Sequence, residues 1–180
     1  MNLWKFCFKL SGWSQEITVP ERKKVVICVA PHTSNWDFIV GLFAYRSIGR
    51  KANFLMKDFW FFFPLKYILK KLGGIPVNRK SKSSLTSMIA DDFERLPYLN
   101  LAITPEGTRK PVDQWKTGFL QIAYKANVPL QLGVIDYKNK KVIIEKEYFP
   151  TGVLNQDMAF IRNYYSDFKF AAKDPNKFLV

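Results

Sequence analysis

Lys23-Lys24-Val25-Val26-Ile27-Cys28-Val29-Ala30-Pro31-His32-Thr33-Ser34-Asn35-Trp36-Asp37 is the stretch that decides the fold. Residues 23–30 are continuous, apolar and β-branched, which predicts a buried strand. Pro31 to Ser34 then breaks the pattern. From about 35 to 50 the apolar positions Trp36, Ile39, Val40, Phe43 and Ala44 recur at helical spacing, with Gly49 as the stop. Outward from this strand–turn–helix unit the alternation continues. Strands are predicted over 53–56, 75–77, 99–104, 130–136 and 141–145, and helices over 64–72, 85–96, 115–126 and 156–170. Alternating strands and helices predict an α/β fold, a central mostly parallel β-sheet flanked by helices. A length of 180 residues fits a single domain. The expected division is an amphipathic membrane-interface segment over 1–22 and the α/β domain over 23–180. In such folds, sites form beyond the carboxyl ends of strands, which directs attention to the segments after Ala30, Val77 and Thr104.

Composition narrows the chemistry. With 48% apolar and 24% charged residues the chain is globular, not disordered. One histidine and two cysteines cannot make the usual zinc sets, although carboxylate sites stay open. Cys28 lies in an apolar run, where a thiol acts as a small hydrophobe, and no disulfide framework is expected. No run reaches the roughly 18 apolar residues of a membrane span. Lys5 and Lys9 interrupt the short apolar opening, so no signal peptide is expected either. These readings predict a cytoplasmic protein.

The formal net charge is +13, which favours anionic partners: nucleic acid, anionic lipid, acidic proteins or phosphorylated metabolites. The aromatic residues choose among them. Of the fourteen residues 54–67, seven are aromatic (Phe54, Phe59, Trp60, Phe61, Phe62, Phe63, Tyr67), with Lys57 and Lys66 inside the run. Trp4, Phe6, Phe8 and Trp13 repeat the theme around Lys5 and Lys9. Such mixtures suit an anionic membrane surface, while core packing with a solvated lysine face is the competing reading. Nucleic acid is disfavoured, because there is no aromatic RNA-binding strand motif, no zinc-finger spacing and no arginine-rich helix.

His32 and Asp37 are five residues apart, a spacing that places side chains about 140° apart on one helix. They meet only if His32 lies in the turn and Asp37 in the first helical turn, with Thr33 or Ser34 as cap. Asp37 then orients the ring, and the other ring nitrogen serves as a base. Ser34-Asn35-Trp36-Asp37 also matches a capping pattern in which Asp37 serves backbone donors alone. After the 99–104 strand, Pro105-Glu106-Gly107-Thr108-Arg109 combines a glycine that permits close backbone approach with a guanidinium suited to phosphate. Gly74-Ile75-Pro76-Val77-Asn78-Arg79 supplies another cation after a strand.

In order and spacing, His32-x4-Asp37, Gly74 to Arg79, Pro105 to Arg109 and Val128-Pro129-Leu130 resemble the four blocks of the glycerolipid acyltransferase family, which includes lysophosphatidic acid acyltransferases. The resemblance covers roughly 24–136. It implies transfer of a fatty acyl chain from acyl-CoA or acyl carrier protein to the hydroxyl of a lysophospholipid such as 1-acylglycerol 3-phosphate. His32 would be the base and Asp37 its orienting partner. Glu106, Gly107, Thr108 and Arg109, with Arg79 and Gly74, would hold the acceptor, and Ile75, Pro76 and Pro129 would belong to the acyl pocket. No metal or redox cofactor is implied. Direct attack on the thioester is expected, since neither Cys7 nor Cys28 has a histidine nearby in sequence. Another lipid hydroxyl (aminolipid, hopanoid or glycolipid) is the alternative acceptor, and a non-catalytic lipid- or RNA-binding module the alternative class. The cations between Lys51 and Lys82 could steer an acidic carrier protein or anionic lipid. Residues 1–13 are too short for a membrane helix, so contact is expected to be peripheral, on the inner face of the cell membrane.

Overall fold

Strand β2 (Lys24–Val29) forms where the apolar run predicts it, and both faces of it are covered. The coordinates are a computed structural model, and they describe residues 3–77 and 85–180. Before β2 come helix α1 (Leu3–Leu10) and strand β1 (Ser14–Ile17). After it come α2 (Trp36–Ser47), β3 (Asn53–Lys57), α3 (Leu65–Leu72), β4 (Gly74–Val77), α4 (Leu85–Arg95) and β5 (Leu99–Ile103). The chain continues through α5 (Gly118–Lys125), β6 (Leu130–Asp136), β7 (Lys141–Tyr148) and α6 (Leu154–Ser166).

The described strands make one seven-stranded sheet in the order β1-β7-β6-β2-β5-β3-β4. From β6 across to β4 every neighbouring pair is parallel, whereas β7 runs antiparallel to β6 and β1 parallel to β7. The expected fold class therefore holds. Two-sided burial explains the uninterrupted apolar character of β2. Val26 and Cys28 pack with Phe93, Phe119 and Tyr165 of α4, α5 and α6. Val25 and Ile27 turn the other way, toward Tyr45 of α2, while Phe8 of α1 packs beside Ala44 of α2 on Ile135 and Val142. Each large side chain so buried contributes roughly 1.5–3 kcal/mol.

The sequence reading and the structure differ in four places. Residues 14–17 form an edge strand, Ser14–Ile17, paired with β7; its short, polar Ser-Gln-Glu-Ile has no strand signature. A boundary at 22/23 therefore cuts through the sheet. Helix α5 begins at Gly118, not at 115, because the Lys116 N–H donates to the Pro105 carbonyl (2.8 Å) and Trp115 turns into the core against Tyr165. Strand β7 runs on to Tyr148 since β6 pairs with its whole length. Helix α6 stops at Ser166, and a 3-10 turn follows at Lys169–Ala171. The predicted stop after α3 is present: Gly73 has φ +104°, and a β-carbon there would collide with the Ala52 carbonyl oxygen.

Candidate active site

Strands β2 and β5 are parallel neighbours, so the loops leaving their carboxyl ends emerge side by side. The first carries His32. The second carries Glu106, Gly107, Arg109 and Lys116. Beside them lies a cleft of about 900 Å3 whose lining includes His32, Asp37, Gly107, Arg109 and Lys116. Its walls are mostly apolar, with Phe38, Leu42 and Tyr45 from α2 and Ile27, Phe54 and Ile144 from the sheet. Arg109 and Lys116 are both exposed.

Asp37 is buried and collects four hydrogen bonds. Its Oδ2 accepts from the Thr33 N–H (3.0 Å) and the Ser34 N–H (2.9 Å) and lies 2.9 Å from His32 Nδ1. Its Oδ1 accepts from the Tyr137 hydroxyl at 2.7 Å. The capping role and the ring-orienting role thus coexist in one carboxylate. The backbone donors pin Oδ2, and the pinned oxygen meets the imidazole. Because a carboxylate oxygen accepts, Nδ1 carries the hydrogen, and in the neutral ring the lone pair is then on Nε2. Asn35 is the residue before α2, yet its side chain makes no capping bond; the Ser34 hydroxyl instead accepts from the Trp36 N–H at 3.2 Å.

Tyr137 lies beyond β6, outside every stretch that sequence reading selected. Burial, then the Asp37 carboxylate beside it, pushes its phenol up, so it remains a donor. Its own amide donates to the Ala171 carbonyl (2.8 Å), and its ring meets Trp13 edge-on at 5.1 Å. The Asp174 N–H reaches the Thr33 hydroxyl at 3.2 Å. The C-terminal segment thus braces the histidine turn from behind, through contacts that no local pattern announces.

Glu106 is placed differently from the sequence expectation. It is buried, and its Oε1 accepts from the backbone N–H of His32 at 3.0 Å. Among the described residues, Oε2 is buried with no hydrogen-bond partner. Burial, only partly offset by the His32 amide, pushes its carboxyl up to about 7. Its Oε1 thus serves the backbone of the histidine turn, a partner that the sequence pattern did not announce. Gly107 does lie in the cleft, with φ +65°, close against the Lys116 side chain. The Thr108 hydroxyl accepts from the Lys110 N–H at 3.2 Å, which ties it into its own turn.

The expected acyl-pocket positions Ile75, Pro76 and Pro129 are not among the residues that line the cleft. Pro129 is buried at the amino end of β6, where its carbonyl accepts from the Val26 N–H (3.1 Å), opposite the end that bears His32. Ile75 and Pro76, with Gly74 that was expected at the acceptor, form the edge strand β4; they pair with the lining residues Phe54, Leu55 and Met56 of β3 without lining the cleft themselves. Gly74 has a packing reason of its own: a β-carbon would meet the Leu69 carbonyl oxygen at 3.0 Å. Arg79 lies outside the described residues. Lys116 in the cleft lining and Tyr137 behind Asp37 are the site residues that sequence reasoning missed; the signal for Lys116 was its charge.

The acyltransferase family model matches residues 14–135. Over 133 residues the chain is 27% identical to a probable 1-acyl-sn-glycerol-3-phosphate acyltransferase of Mycoplasma pneumoniae, covering 67% of this chain and 48% of that protein. It therefore spans about half the length of that curated relative. The crystal structure of the 1-acyl-sn-glycerophosphate acyltransferase PlsC from Thermotoga maritima superposes with a TM-score of 0.62 over 95% of this chain and 78% of that one. At 17% identity this is a likeness of fold.

Proposed function

We propose, for a chain that belongs to the acyltransferase family, transfer of a fatty acyl group from acyl-CoA or acyl carrier protein to the free hydroxyl of 1-acylglycerol 3-phosphate. The observation that carries this reading is the 2.9 Å pairing of His32 Nδ1 with buried Asp37 on the wall of a largely apolar cleft. His32 Nε2 takes the hydroxyl proton as the oxygen attacks the thioester carbonyl carbon. The tetrahedral intermediate collapses with cleavage of the C–S bond, and the imidazolium returns the proton to the departing thiolate. Asp37 holds the ring and stabilises the imidazolium. Attack is direct: Cys28 is sealed in the core and burial pushes its thiol far up, so it supplies no thiolate. Arg109 and Lys116 hold the acceptor phosphate, and the apolar walls receive the hydrocarbon chains.

Release of free thiol from acyl-CoA tests the reading directly. Thiol appears with 1-acylglycerol 3-phosphate and not with aminolipid or glycolipid hydroxyls; the opposite preference refutes the acceptor. Arg109→Ala raises the KM for 1-acylglycerol 3-phosphate about 10–100-fold with kcat little changed, the size of a lost charged hydrogen bond. An unchanged KM removes Arg109 from the acceptor site. Tyr137→Phe withdraws a donor from Asp37 and concentrates negative charge on the oxygen facing His32. The acid limb of kcat/KM against pH then moves up by as much as about one unit. A merely structural tyrosine would lower the rate without moving that limb.

A further inference from the structure

Between β3 and the end of α3 the chain leaves six large apolar side chains in water: Phe59, Trp60, Phe62, Phe63, Tyr67 and Ile68, with Phe59 and Phe63 each 75% exposed. Sequence left these rings open to core packing or to an interface, and the structure puts them outside. They touch one another instead of the core, Phe59 edge-on to Trp60 at 5.8 Å and Phe63 edge-on to Tyr67 at 6.2 Å. Of α3 itself only Leu69 is buried. An exposed apolar patch of this kind marks a contact surface.

Lys57, Lys66, Lys70 and Lys71 lie in the same segment against one acid, Asp58, whose Oδ1 accepts from the Phe59 N–H at 2.8 Å. Position matters as much as composition. Strand β3 is parallel to β5, so its carboxyl end lies at the same edge of the sheet as the loops bearing His32 and Arg109. Leu55 and Met56, the residues just before the platform, line the cleft.

We infer that this aromatic–lysine platform docks the protein on an anionic bilayer and presents the cleft to the lipid surface. Lysines alone would serve an acidic carrier protein. Six exposed apolar side chains among them need an apolar phase, which the bilayer interface supplies, while the ammonium groups meet lipid phosphates. That the platform delivers lipid to the cleft rests on the proposed acceptor; that it binds the bilayer stands on the exposed rings and the charge.

Co-sedimentation with phosphatidylcholine vesicles, with and without phosphatidylglycerol, tests this. The wild-type protein binds the anionic vesicles, and added salt weakens binding as surface attraction is screened. Phe59→Ser with Phe63→Ser lowers the partition coefficient about a hundredfold, about tenfold per ring. Lys66→Ser with Lys70→Ser removes most of the preference for anionic over neutral vesicles. Leu3→Ser with Leu10→Ser, at the exposed apolar positions of α1, serves as the control and leaves most of the binding in place. Both ring positions are open to solvent, so melting temperature stays unchanged. The inference is overturned if the ring variant binds vesicles like wild type, if only the α1 variant loses binding, or if the rings mediate self-association or carrier-protein capture while vesicles are ignored. Vesicle binding without any acyl transfer would refute the enzymatic reading and leave the docking surface standing.

Discussion

His32→Ala loses acyl transfer by about 10²–10⁴-fold, the contribution of a positioned general base, and keeps its fold. The second half of that expectation comes from where the ring's bonds go. Its backbone N–H, which bonds Glu106, is retained in alanine. Asp37, deprived of the imidazole, still accepts from the Thr33 and Ser34 amides and from the Tyr137 hydroxyl, so no buried carboxylate is orphaned. Asp37→Asn separates charge from geometry. The amide oxygen can keep the three donors at the Oδ2 position while its NH2 turns to the Tyr137 oxygen. The fold then survives, but the imidazolium has lost its counter-charge and kcat falls about 10²-fold or more. Thiol-release kinetics read both variants and circular dichroism checks the fold. Full transfer by His32→Ala would end the assignment of the base.

Glu106→Ala lowers kcat about 10²-fold, because it removes the acceptor of the His32 amide and lets the turn that aims the ring relax. It also costs about 1 kcal/mol of stability for the part-buried N–H left unpaired. Glu106→Gln keeps a carbonyl oxygen for that amide and stays within a few-fold of wild type. The same pair of variants carries a pH signature. The Glu106 carboxyl has an ordinary value of 4.5 and is pushed up to about 7 in the fold, chiefly by burial. Below 4.5 it is protonated in folded and unfolded chains alike, and the stability linked to it is fully present. As pH rises toward 7 the unfolded chain releases the proton first, so that stability falls and is lost once the folded group ionises. Urea midpoints measured from pH 4 to 8 show this decline in wild type, and Glu106→Gln flattens it. A rise in acceptor KM for Glu106→Ala with kcat unchanged would instead place Glu106 at the acceptor.

Much of the architecture was readable residue by residue. The β-branched run that became β2, the helical spacing of α2 and the glycine stop after α3 are properties of neighbouring residues, governed by backbone sterics and by the 2- and 3.6-residue periods. The five-residue gap between His32 and Asp37 was readable for the same reason, since both ends of that contact lie within one turn. Strand β1 was not, because three polar residues and one isoleucine become a strand only when β7 offers its edge.

Local chemistry therefore determined which elements form, where the loops fall and which side chains are equipped for proton transfer. The tertiary structure decided which distant groups face them. Tyr137 reaches Asp37 across 100 positions and Glu106 reaches the His32 amide across 74, and Pro129, expected in the acyl pocket, sits at the end of β6 opposite the one that faces His32. It also decided that the rings of Phe59, Trp60, Phe62 and Phe63 meet solvent, a choice their composition left open. The reason is physical. Periodicity and residue type act over a few bonds, whereas burial and hydrogen-bond partnership depend on what the rest of the chain brings to the other side.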